Sequence, residues 1–266
     1  KMNLDWEDIY WKDPDGGTIL LHGILPTVVF PNGLRPRVQW HGLGILASTE
    51  EEEVWAEEEK SEAEDPGINL DSAILNGGLD SLYLEMLTWV EGLQVGKFPD
   101  PEPRRLHKAA RTHERPVFFI EPEMSDDDWA DFLEKGAHAM TRPRKLLKIV
   151  FTARRWRKSI KKVRPLVIEQ PSREPDGLQA ASALAATWWK LNRENSIEEL
   201  NNRKDMRFAG RLRGSLKELR ELHGDDALLL VPIQQAWRES MLKALDTHPE
   251  PEEVSSQSSS SEGEEE

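Results

Sequence analysis

Eleven lysines and arginines fall between Arg142 and Arg164, with no aspartate or glutamate among them. Guanidinium and ammonium groups at that density bind carboxylates and phosphates, arginine through paired hydrogen bonds and lysine as a point charge. The order of residues adds shape to the charge. Wound at about 3.6 residues per turn, Leu146, Ile149, Ala153, Trp156, Ile160 and Val163 share one side, and most cations fall on the others. Leu147 and Phe151 lie off that stripe, among the cations. The segment reads as a basic amphipathic helix. Its candidate partner-binding residues are Lys148, Phe151, Arg154, Arg155, Trp156, Arg157, Lys158, Lys161, Lys162 and Arg164. The plainer expectation is a surface helix whose apolar side faces the core and whose long basic side chains cover apolar surface.

Several short resemblances compete for the same residues. Arg154-Arg155 with Lys158 and Lys161-Lys162-Val163-Arg164 resembles a basic nuclear localisation signal, and the same cations could contact phosphates while Trp156 stacks on a base. Leu147, Phe151 and Ile160 resemble part of the anchor spacing of calmodulin targets. Ile233-Gln234-Gln235-Ala236-Trp237-Arg238 resembles an incomplete IQ motif, with Glu239 where a glycine is usual, but the helical spacing of Ile233 and Trp237 points first to core packing. Lys148-Ile149-Val150-Phe151 resembles the motif by which regulators dock on a Ser/Thr protein phosphatase, which binds as an added strand. In the tail, Ser259 and Ser261 each precede a glutamate by three residues and resemble acidic-directed kinase sites, where phosphate adds about −1.5 to −2 charge.

Other chemistry finds no starting point. There is no phosphate-cradling glycine loop, dinucleotide fingerprint or Gly-x-Ser-x-Gly elbow. No cysteine is present, which excludes disulfides, thiolate-bound metal and thiol catalysis. The seven histidines form neither a His-x3-His pair nor a His-Glu-x2-His motif, and His107 and His113 fall in a polar stretch expected to be exposed. No catalytic, cofactor-binding or metal-binding residue is singled out, and no cofactor is expected.

The chain as a whole carries −14, but this sum hides a division. Outside Arg142–Arg164 there are 24 basic against 49 acidic residues, so the basic segment sits in a background of −25. That argues against strong unaided binding to nucleic acid or anionic membrane. No apolar run approaches the roughly 20 residues of a membrane span, and Lys1–Asp8 lacks the basic-then-apolar order of a signal peptide. The expected setting is intracellular, nucleus or cytoplasm.

The elements that would position this segment can be read coarsely. Thr18–Leu21, Thr27–Phe30, Arg37–Trp40 and Gly44–Leu46 suggest a small antiparallel sheet with a turn at Pro31-Asn32-Gly33. The glutamate-rich residues 50–66 read as a solvated insertion, and residues 96–115 as a connection. Pro116–Ile120 reads as a strand buried on both faces. Ser125-Asp126-Asp127-Asp128 supplies a cap and a negative first turn for a helix, Asp176 suits another cap, and Ser196 and Ser215 each open a capping box. Pro232 suits the first turn of a last helix.

The expected fold is therefore α+β, an antiparallel β-rich N-terminal part followed by a mainly helical C-terminal part. The organisation is 1–140 mixed with the acidic insertion, 141–246 helical from the basic segment onward, and 247–266 a disordered Ser/Glu tail. No motif is long enough to assign a family. The leading function is a non-catalytic regulatory or adaptor protein that binds a protein partner, calmodulin-like or a phosphatase, through the basic segment and is modulated by its acidic regions. The alternatives are a nucleic-acid-associated protein using the same segment, and an enzyme with no readable motif.

Overall fold

The computed structural model describes residues 2–141, 147 and 150–258. Among them the chain is α+β, with one six-stranded sheet drawn mostly from the N-terminal half and helices concentrated in the C-terminal half. The strands are β1 (Ile9–Lys12), β2 (Thr18–Ile24), β3 (Gly42–Ile45), β4 (Val117–Phe119), β5 (Leu228–Gln234) and β6 (Ser256–Gln257). The helices are α1 (Glu51–Glu64), α2 (Ile68–Leu75), α3 (Gly78–Thr88), α4 (Pro101–Thr112), α5 (Asp127–Met140), α6 (Thr152–Val163), α7 (Gly177–Asn195), α8 (Glu198–His223) and α9 (Arg238–Asp246). None of these is long and apolar enough to cross a membrane.

The pairing sense differs from the antiparallel expectation. Strand order is β1-β2-β5-β3-β4-β6. The central β2, β5, β3 and β4 run parallel, and only the edge pairs β1–β2 and β4–β6 are antiparallel. Long helical crossovers between the central strands make the parallel sense geometrically available. Alternate side chains then feed two cores. Ile19, Leu21, Leu229 and Val231 pack with Phe208, Leu212 and Leu216 of α8 and Met241 and Leu245 of α9. Leu20, Leu43, Val117 and Leu230 pack on the other face with Trp55 of α1 and Leu106 and Ala110 of α4. A third cluster joins α3, α6 and α7 to the segment after β2, through Leu25, Val28, Tyr83, Leu87, Trp156 and Leu178.

Other expectations change for local reasons. Thr27–Phe30 and Arg37–Trp40 are not strands, and Asn32–Leu34 forms a single 3-10 turn. The acidic run is α1, not a solvated insertion: three glutamates fall in its favourable first turn, and Trp55 is 2% exposed. Residues 101–112 of the expected connection are α4. Proline suits its first position, and Leu106, His107 and Ala110 are buried, so His107 is not exposed. Helix α8 runs through Ser215, whose hydroxyl donates to the Arg211 carbonyl instead of capping a new helix. Pro232 lies inside β5, two residues past the β3–β5 ladder, where a missing N–H breaks no bond on that flank.

Residues 247–258 of the expected disordered tail are placed against the fold, and residues 259–266 lie outside the described residues. Gly210 and Gly214 open one side of α8 to this segment. A Cβ at Gly214 would overlap the Glu252 backbone, and the Glu252 N–H donates to the Gly210 carbonyl at 2.9 Å. Val254 is buried, and β6 follows. The division at residue 140 also follows no structural boundary, since β5 from the second part lies between β2 and β3 of the first.

A buried ion pair closes the molecule over this segment. Arg213 Nε and Nη2 donate to Asp13 Oδ2 and Oδ1 at 2.9 and 3.0 Å, and both residues are almost fully buried. Nη2 also donates to the mostly exposed Asp15, and Nη1 donates to the Pro249 carbonyl. Removing one partner leaves a buried charge uncompensated. Asp13→Ala is expected to lower the unfolding free energy by about 3–5 kcal/mol in urea titrations. Asp15→Ala, at an exposed position, should cost less than about 1 kcal/mol.

Candidate functional site

Helix α6 turns Trp156, Ile160 and Val163 inward, whereas Ala153 of the expected stripe is exposed and Leu146 lies outside the described residues. Trp156 is 3% exposed among Tyr83, Leu84 and Leu87 of α3 and Leu178, Ala181 and Leu184 of α7, with the half-buried Ile160 beside it. Val163 is fully buried against Leu4 and Ala186. The opposite side carries Arg154, Arg157, Lys158, Lys161 and Lys162, all exposed, and Arg164 follows at the helix end. At about 100° per residue the five helical cations span about 140° of the circumference. None of these six forms an ion pair with a described residue. Arg155 is different, donating to Glu194 Oε2 at 3.2 Å and to Asn195 Oδ1 at 2.8 Å, at the end of α7.

The sequence-predicted site therefore separates. Arg154, Arg157, Lys158, Lys161, Lys162 and Arg164 share a surface, and the half-exposed Phe151 precedes the helix. Trp156 is corrected to a core residue, because helical spacing turns it with Val163 toward α7. Lys148, Ile149, Ser259 and Ser261 lie outside the described residues. The IQ-like residues lie in the core, the reading favoured over the motif: Ile233 and Gln235 are buried at the end of β5 and in the turn after it, Trp237 packs on the same cluster, and Arg238 is buried at the start of α9. Arg238 is held by the carbonyls of Asp5, Glu7 and Gln235.

A second region was missed in the sequence. The chain leaves β3 toward α1 on one face of the sheet and leaves β5 toward α9 on the other. Loops that part in this way leave a crevice at the carboxyl ends of parallel strands, where ligands of open α/β sheets bind. A cavity of about 170 Å³ lies there, walled by Ile45, Glu51, Trp55, Asp100, Gln234 and Trp237. Gln234 and Trp237 also wall a larger cleft of about 590 Å³ that runs between α5, α7 and α8 and includes Lys204.

The titratable groups along this edge are perturbed. Burial pushes the Asp100 carboxyl up to about 7, although the Thr27 N–H donates to its Oδ1 at 3.0 Å. Burial, with Glu51 and Glu62 nearby, pushes Glu58 up to about 7. Glu51 and Glu121 are raised chiefly by burial, and Lys204 is lowered by burial against the opposing pull of Glu121 and Asp205. Thr27 itself sits at φ 59, a strained conformation for a β-branched residue, three residues past the end of β2. Among the described residues no group of three or more histidines or carboxylates is placed to hold a metal ion.

No known protein family, curated protein or solved structure matches this chain. The signal for the missed region was positional. Glu121 and Gln234 stand at or just beyond the end of an apolar strand, whereas Glu51 lies six residues past β3 in a glutamate run whose pattern reads as solvated.

Raised carboxyls make stability depend on pH with a definite sign. Asp100 and Glu58 stay protonated in the folded chain up to about 7, whereas the unfolded chain loses these protons near pH 4. Their contribution to stability is therefore full at the acid end and falls as pH rises through that window. The double variant Asp100→Asn/Glu58→Gln keeps neutral acceptors at both positions. Relative to the wild type it should gain about 2–4 kcal/mol of unfolding free energy between about pH 4 and about pH 8, allowing for partial solvent screening. Urea unfolding at the two pH values measures this difference directly.

Proposed function

We propose that this chain is a non-catalytic regulatory or adaptor protein of the nucleus or cytoplasm that docks an acidic protein partner through the cationic face of α6. The observation that carries this reading is the set of six exposed cations without an ion-pair partner among the described residues, in a chain with 49 acidic residues. The fold uses its acids elsewhere. Glu52 and Glu59 meet His107, Arg111, Arg104 and Lys108 of α4, and Glu252 meets Arg207 and Arg211 of α8.

The apolar stripe of α6 is occupied by α3 and α7, so the partner reads charge and not inserted side chains. This disfavours a calmodulin-like partner, which would need both sides of the helix. The background of −25 disfavours a phosphate backbone more than a compact acidic protein surface. Modulation falls to the acidic residues 259–266, where phosphate at Ser259 and Ser261 would strengthen competition for the same cations. The paired carboxylates of α1 are already engaged by α4.

The test is fluorescence anisotropy with labelled poly-glutamate and a single-stranded oligonucleotide of equal charge. Poly-glutamate should bind with a steep salt dependence, and Lys158→Glu/Lys161→Glu/Lys162→Glu should weaken it at least about tenfold. Removing residues 259–266, which leaves β6 in place, should strengthen it. Tighter binding to the oligonucleotide moves the reading to nucleic acid. Equal binding by the charge-reversed chain sinks the cationic face altogether.

A further inference from the structure

The cleft at the end of β5 supports a second binding site, independent of α6. Its volume of about 590 Å³ lies within the ordinary range for small-molecule sites. Two indoles on its wall are fixed in place: Trp188 Nε1 donates to Asp80 at 2.7 Å, and Trp237 Nε1 donates to Asp205 at 2.8 Å. Leu133 and Met140 of α5 add apolar surface. Walls held in this way bind flat apolar groups without first having to be ordered.

Two polar groups in the cleft lack what their chemistry asks for. The Lys204 ammonium lies 5.2 Å from the ring centres of both Phe208 and Trp237. No carboxylate of a described residue lies within ion-pair distance of it, and Glu121, Asp205 and Arg193 are the charged groups that act on it from further away. A cation drawn out of water and left without a counter-ion is costly, and a ligand anion relieves that cost. The second group is Gln234, whose Oε1 is buried without a hydrogen-bond donor.

We infer that this cleft binds a small anionic ligand with a flat apolar body, of the aromatic carboxylate or sulfonate class, that also carries one hydrogen-bond donor. The apolar body lies against Trp188 and Trp237, the anion pairs with Lys204, and the donor meets Gln234 Oε1 once that side chain turns toward the cleft. The requirement is for both features in one molecule. A neutral aromatic leaves Lys204 uncompensated, and a small hydrophilic anion leaves the indole walls uncovered.

The probe is 1-anilinonaphthalene-8-sulfonate, which has a flat body, a fixed negative charge and one N–H. The neutral comparison is N-phenyl-1-naphthylamine. Binding is read by probe emission and tryptophan quenching, with near-UV circular dichroism confirming that each variant is folded. The sulfonate should bind the wild type at one saturable site. Lys204→Met should weaken it at least about tenfold, Lys204→Arg should retain it within a few-fold, and Gln234→Leu should lose an intermediate amount. The neutral probe should bind wild type and Lys204→Met alike.

A test without substitution guards against a variant that fails to fold. In the wild type, sulfonate affinity should fall as pH rises toward the ordinary lysine range of about 10.4, while neutral-probe affinity stays level. Unchanged sulfonate affinity in folded Lys204→Met, unsaturable binding, or the same pH response for both probes overturns the inference.

Discussion

Strand β5 is hydrogen-bonded on both sides, to β2 from Thr18 to Ile24 and to β3 at Gly42 and Leu43. Those two N-terminal strands do not pair with each other. The four parallel strands therefore become one sheet only when residues 228–234 enter between them, more than a hundred residues after β4. Until then Leu20, Leu21 and Leu43 have no common surface to join. Both faces depend on this insertion, because Leu229 and Val231 build one core and Leu230 the other. A long sequence separation must be closed before any of that burial is gained, so the sheet and its two helical layers form together or not at all.

The residues flanking β5 show how the insertion is held. Arg238, four residues past its end, is fully buried with its guanidinium against Gly23 of β2, so close that a Cβ there would collide with it. Its donors take carbonyls of the N-terminal segment, and burial lowers it to about 10. The Arg213–Asp13 pair does the same work at the other end of the hairpin, joining the β1–β2 turn to α8. In both places a buried cation is tolerated because every direction it faces is supplied with an acceptor. Lys204 is the contrast, since the rings of Phe208 and Trp237 lie beside it and no carboxylate of a described residue is within ion-pair distance.

What could be read from the sequence follows from which forces are local. The inward side of α6 at Trp156, Ile160 and Val163, the buried run at β4 and the capped start of α5 within Ser125–Asp128 are legible because each depends on neighbours within a turn or a strand. The Asp126 carboxylate does accept the Trp129 N–H, at 2.8 Å. Glu51–Glu64 was misread because its helix is held by α4, nearly fifty residues away, and Pro232 because its tolerance depends on where a neighbouring ladder stops. The cleft was illegible for the same reason. Glu51 and Asp100 of the smaller cavity and Lys204 and Gln234 of the cleft come from distant parts of the chain, and the perturbed protonation of Glu51, Asp100 and Lys204 arises from burial that only the assembled sheet creates. A charge run announces itself in sequence, whereas a desolvated single charge does not.

The two cationic features therefore work in opposite electrostatic regimes. On α6 six charges stand in water, where each interaction is weak and screened beyond about 8–10 Å at ordinary salt, so recognition there depends on number and on a partner of matching charge density. At Lys204 one charge stands among indole and phenyl rings, where the effective dielectric is low and a single counter-ion counts for much more. Acidic residues that are abundant elsewhere reach neither place. Glu52 and Glu59 of α1 are turned to α4, and Glu252 is held by Arg207 and Arg211. The fold thus gathers unpaired positive charge on one open, salt-sensitive face and sets a single unpaired charge in a cleft lined by aromatic rings.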